Sequence, residues 1–105
     1  MGSMDRIAML TEILRENPKD AFARYGLAMA YSAEGKTEEA LREYGIAIEN
    51  TPDYVPAYQM SAQVLMKLGR MDEAKARLEA GMVVCERTRN AHAASEMQGM
   101  LDEIG

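Results

Sequence analysis

The sequence predicts an all-α chain of short antiparallel helices, and three observations carry that prediction. Ala, Glu, Met, Leu and Arg, all good helix formers, dominate the composition. No stretch alternates apolar and polar residues with β-branched content, so no strand is expected. Turn signals are few. Asn17-Pro18-Lys19-Asp20, Glu34-Gly35-Lys36-Thr37, Thr51-Pro52-Asp53-Tyr54 and Leu68-Gly69-Arg70 each interrupt a helical pattern.

The punctuation predicts six helices, over about 4–16, 21–34, 37–50, 55–68, 71–86 and 90–103. Ile7, Met9, Leu10, Ile13 and Leu14 give the first its apolar content, and Pro18 stops it. Gly35 and Gly69 suit the left-handed residue just past the second and fourth helices. Thr37 followed by Glu38 and Glu39 reads as an N-cap with acids in the first turn of the third helix. Pro52 closes that helix, and Pro56 fits the first turn of the fourth, where a missing N–H costs nothing. Asp72 and Glu73 favour the start of the fifth. Glu38 to Arg42 and Glu73 to Arg77 are expected as exposed i,i+4 pairs. Glu86-Arg87-Thr88-Arg89-Asn90 holds no Gly or Pro, so two readings stand: Thr88 or Asn90 caps a sixth helix, or the fifth runs on. The connections are only a few residues long, which makes neighbouring helices antiparallel.

The pattern repeats every 34 residues. Pro18 falls in register with Pro52, Ala23 with Ala57, Ala28 with Ala62, Gly35 with Gly69, Glu39 with Glu73 and Ala40 with Ala74. Leu10, Tyr44 and Leu78 share one register position, and Ile13, Ala47 and Gly81 another. Small residues recur where two helices must approach closely, with larger ones beside them.

On these residues the chain resembles the tetratricopeptide repeat family. Residues 21–54 carry Leu27-Ala28, Tyr31, Gly35, Ala40, Tyr44, Ala47 and Pro52 in the family's order. Residues 55–88 carry Tyr58, Ala62, Leu65, Gly69, Ala74, Leu78 and Gly81. Arg24, Ser61 and Glu86 depart from the pattern, standing where an aromatic, a leucine and a proline are usual. The resemblance implies a right-handed mini-solenoid within one domain, 4–105. Its parts would be a half-unit at 4–20, units at 21–54 and 55–88, and a capping helix at 89–105. Met1-Gly2-Ser3 reads as a cloning scar ahead of Met4.

The resemblance also implies a concave groove lined by the first helix of each unit. The positions carried over are Phe22, Tyr25, Met29, Ser32 and Ala33, then Gln59, Gln63, Met66 and Lys67. The sixth helix would add Ala93, Met97 or Met100. Phe22, Tyr25 and Met29 share one helix face by spacing alone. The plainer alternative for that trio is ordinary core or contact with the capping helix. Family members that clamp a carboxylate place Lys and Asn here, whereas this chain keeps Lys67 as the one cation. An apolar peptide or amphipathic helix is the expected ligand. The competing expectation is self-association, as a homodimer for instance, through Ile7, Leu10 and Leu14 or through Met97 and Leu101.

Other function classes are excluded or disfavoured. The 105 residues make one small domain, and 48% hydrophobic with 28% charged residues does not describe a disordered chain. A net charge of −5 argues against nucleic acid. No apolar run approaches a membrane span, and no signal peptide precedes the first helix, so a cytoplasmic protein is expected. The single Cys85 excludes an internal disulfide and is expected to be buried. His92 lies one turn from Glu96, a spacing that suits a surface ion pair better than a two-ligand metal site. With no nucleophile motif and no phosphate-binding loop, no catalytic residue, metal or cofactor is expected, and the chain is not read as an enzyme.

Overall fold

A computed structural model describes residues 3–105, with side chains from Asp5 onward. Met1 and Gly2 of the expected cloning scar lie outside the described residues. The elements are α1 (Ser3–Glu16), α2 (Ala21–Ala33), α3 (Thr37–Asn50), α4 (Val55–Lys67), α5 (Met71–Thr88) and α6 (Ala91–Ile104). No strand occurs among the described residues. Among the described residues no helix is long and apolar enough to cross a membrane.

The glycine ends form as the sequence requires. Gly35 and Gly69 have φ of 79° and 76°. Around each, two backbone bonds close the helix: Gly35 N–H to Ser32 and Lys36 N–H to Tyr31, then Gly69 N–H to Met66 and Arg70 N–H to Leu65. The ambiguous junction resolves the same way without a glycine. Arg89 takes φ of 59°, and Asn90 N–H reaches the Cys85 carbonyl at 2.8 Å. Helices α5 and α6 are therefore separate, and α5 runs two residues past the expected 86. Asn90 then caps α6, its side chain accepting from Ala93 N–H at 3.1 Å. Asp20 does the same for α2 through Ala23 N–H at 3.0 Å.

One expected cap is wrong. Thr37 is the first helical residue of α3; the cap is Lys36, which makes no side-chain bond. Glu38 and Glu39 still lie in the first turn, where they favour the positive end of the helix dipole.

The chain divides into two compact units, Met1–Tyr54 and Val55–Gly105. In the first, α1 packs on α2 and α2 on α3. Leu10 and Leu14 of α1 meet Ala23 and Leu27 of α2, with Ile7 and Tyr31 packed against them. In the second, α4 packs on α5 and α5 on α6. The small register positions hold the closest approaches. Ala28, Ala40, Ala47, Ala57, Ala62 and Ala74 are fully buried, as are the large Tyr44 and Leu78. A methyl group on Gly81 would come within 2.8 Å of the Met97 sulfur and 2.9 Å of Tyr58 Cβ. Gly81 is thus the point where α5 is pressed by α4 and α6.

Candidate functional site: the faces of α2 and α4

The face of α2 is built on an aromatic cluster. The Tyr25 ring lies 5.9 Å from that of Tyr44 and 5.7 Å from that of Tyr54, tilted at 56° and 59°. Such tilted pairs suit the ring quadrupoles. Burial, with the neighbouring Tyr25 adding to it, pushes the Tyr44 hydroxyl up to about 12. Tyr25 and Tyr54 are raised as well, chiefly by burial. Tyr25 is half-buried and held in place by the two rings, and Met29 one turn on is half-buried. Phe22, on the same face, is 76% exposed. The trio shares a face as expected, and the plain core alternative fails for Phe22.

Behind this face, Arg24 explains its departure from the aromatic pattern. Its guanidinium donates to Glu43 Oε1 at 2.9 Å and to the Pro18 carbonyl at 2.8 Å. Both side chains of the Arg24–Glu43 pair are largely buried. The second unit solves the same position differently. Tyr58 stands in register with Arg24, and Arg77 with Glu43. Arg77 donates to the Ser61 hydroxyl at 3.3 Å, while that hydroxyl donates back to the Ala57 carbonyl at 2.6 Å. Burial lowers the Arg77 pKa. Glu73 bonds Arg70 at the start of α5 and, as the i,i+4 spacing implies, also lies within electrostatic reach of Arg77. In the first unit Arg42 lies 3.8 Å from the buried Glu43.

The face of α4 is amide-lined and borders a shallow cleft. Gln63, Met66 and Lys67 line it with Met100 and Glu103 of α6, enclosing about 280 Å³. Gln59 reaches Glu96 of α6 at 3.5 Å. Lys67, the expected lone cation, shares its cleft with the carboxylate of Glu103, which weakens its pull on an anion. From α6 only Met100 joins this lining as expected. Ala93 and Met97 are buried.

Burial also corrects the self-association residues. Leu10 and Leu14 belong to the core with α2, and Met97 is fully buried. The apolar residues that α1 exposes are Met9 at 58% and Ile13 at 41%. Ile7 and Leu101 are half-buried. His92 and Glu96 form an exposed pair at 3.6 Å. No group of three metal-ligating side chains occurs among the described residues. Cys85 is buried, and burial raises its thiol pKa, which leaves it unreactive.

Residues 7–60 and 32–82 match the model of the tetratricopeptide repeat. The chain belongs to the tetratricopeptide repeat family. No curated protein matches it in sequence. Solved structures do. A tetratricopeptide repeat domain protein from Salinibacter ruber is 27% identical with a TM-score of 0.79, covering 84% of this chain and 89% of that one. The TPR2B domain of yeast Sti1, solved as a pHsp70 complex, is 23% identical with a TM-score of 0.87, covering 93% and 78%. PcrH, solved with the chaperone binding region of PopD, is 17% identical with a TM-score of 0.89, covering 97% and 77%. At these identities the last two establish the fold.

Sequence reasoning missed four residues of this setting. Tyr44 and Tyr54 hold the Tyr25 ring, Glu43 partners Arg24, and Glu103 faces the Lys67 cleft. Only Glu43 had a signal. An arginine at an aromatic position of one helix calls for an acid on the facing helix, and Glu43 stands where the second unit has Arg77.

Proposed function

We propose that the protein is a non-catalytic interaction module that holds an apolar peptide or amphipathic helix of a partner on the α2 face. The observation that carries this reading is Phe22, a large apolar side chain 76% exposed, beside a Tyr25 already fixed by two other rings. An anchor that is rigid before binding loses little side-chain entropy on binding. Met29 adds a flexible thioether that adapts to varied partners. The α4 residues Gln59, Gln63, Met66 and Lys67 serve as a second, polar contact surface for the same class of ligand. Structural relatives support the reading: yeast Sti1 TPR2B and PcrH were both solved with a bound protein segment. A free carboxylate is a poor ligand, because Lys67 is the one cation among these positions and Glu103 lines its cleft.

Phe22 is the cleaner probe, since Tyr25 also holds the first unit together. Peptides selected from a random display library on the protein should lose at least about tenfold in affinity to Phe22→Glu, the loss of one well-placed aromatic anchor. Circular dichroism of that variant should be unchanged. Selected peptides that bind Phe22→Glu as well as the parent would remove the α2 face from the site.

A further inference from the structure

Helices α1 and α6 are the outermost of the described elements, and the repeat register says which type of helix suits the open face of each. Helix α1 stands in register with α3 and α5, the second helices of the two units. Met9 occupies the position of Glu43 and Arg77; Ile13 occupies that of Ala47 and Gly81. In both complete units these positions face the first helix. Glu43 pairs with Arg24 of α2, Arg77 bonds Ser61 of α4, and Gly81 abuts Tyr58 of α4. On α1 the same positions are exposed, Met9 at 58% and Ile13 at 41%. The open face of α1 is therefore shaped to receive a first-type helix.

Helix α6 is such a helix. Asn90 caps it as Asp20 caps α2, each accepting from the N–H three residues on. Aligned on these caps, Ala93 matches Ala23 and Met97 matches Leu27, and all four are buried. Ala94 then falls at the position of Arg24 and Tyr58, which face the second helix of their units, and Ala94 is only half-buried. Among the described residues no second helix covers it.

We infer that α6 of one copy docks on the open face of α1 of another, completing a helix pair across two chains head to tail. Size complementarity selects a second copy as the occupant. Where α4 carries the large Tyr58, α5 carries Gly81 with no room for a methyl. Where α6 carries the small Ala94, α1 carries the large Ile13. The companion position matches too: ion pair in the first unit, phenol and guanidinium in the second, alanine methyl and Met9 thioether at the junction. Leu101, half-buried on α6, stands in register with Tyr31 of α2. The remaining positions are polar, Arg6 in register with Ala40 and Gln98 with Ala28, so this side of the junction stays hydrated. The contact is accordingly reversible and concentration-dependent. A head-to-tail contact is heterologous, so growth continues until a ring closes or a filament forms.

The test is sedimentation velocity of the whole protein across a hundredfold concentration range, with two variants. The parent should pass from 11.7 kDa monomer to successively larger multiples. Ile13→Glu and Ala94→Arg, each keeping parental helicity, should both remain monomeric alone. Mixed in equal amounts they should give one heterodimer and nothing larger, because each retains the end the other lost. A parent that stays monomeric at the highest concentration overturns the inference. Self-association that persists in Ala94→Arg alone also overturns it, since that result means the α1 faces pair with each other. Monomers in the mixture of a parent that does assemble would place the occupant of α1 elsewhere, and overturn it too.

Discussion

Arg89 closes α5 in a backbone conformation that L side chains adopt at a cost of roughly 1–2 kcal/mol. Its two counterparts, Gly35 and Gly69, carry no such strain. Arg89→Gly relieves the strain but gives the unfolded chain more freedom, so the net gain should be about 0.5–1 kcal/mol. Urea unfolding should show it as a raised midpoint with an unchanged slope. Tyr44 gives a second residue-scale prediction. Its hydroxyl is buried and has no hydrogen-bond partner among the described residues. With the folded pKa raised to about 12 from 10.0, the unfolded chain ionises first as pH rises. Stability should therefore be flat below pH 10 and fall between there and about pH 12, with Tyr25 and Tyr54 adding in the same direction. Chemical denaturation at stepped alkaline pH measures this. In Tyr44→Phe the alkaline fall should be shallower. None of this was legible in the sequence at Tyr44, which reads there as a gap-filling ring; the missing partner is a property of the packed core.

At the scale of elements, two glycines inside helices make a matched comparison. A methyl on Gly45 of α3 meets nothing within 4 Å, whereas on Gly81 of α5 it strikes Met97 and Tyr58 Cβ. Gly45→Ala should stabilise by up to about 1 kcal/mol, the helix-propensity gain alone. Gly81→Ala should destabilise by about 1 kcal/mol or more, because overpacking outweighs the same gain. Thermal unfolding of the two variants should move the midpoint in opposite directions. The α2–α3 pair offers a charge counterpart. Removing one partner, as in Glu43→Ala, leaves the Arg24 guanidinium buried and uncompensated, a loss of about 3–5 kcal/mol. Replacing both, as Arg24→Met with Glu43→Leu, should recover most of that loss. A double-mutant cycle in urea tests it, and equal losses in the single and double variants would refute the pairing. Helix existence was readable because glycine, proline and the 34-residue register each have a local cause. The Thr37 cap was misread because capping depends on one backbone angle: Lys36 turned first, and Thr37 entered the helix.

For the whole molecule, the register gave the family and the α2 face, while burial decided which residues of each face remain available. Phe22, Tyr25 and Met29 share a face by arithmetic, yet only packing shows that Phe22 projects and Tyr25 is held. Leu10, Leu14 and Met97 looked like an open edge because apolar content cannot tell a core residue from a docking residue. Their neighbours in α2 and α5 take them, and Met9, Ile13 and Ala94 are left instead. By itself the sequence determined the six-helix order, the repeat and the positions that need small side chains. Those follow from periodicity and backbone stereochemistry, which act over a few residues. Only the tertiary structure decided the Arg24–Glu43 pair, the tyrosine cluster and the exposed faces. Each depends on which side chains meet across helices, and no local spacing encodes that meeting.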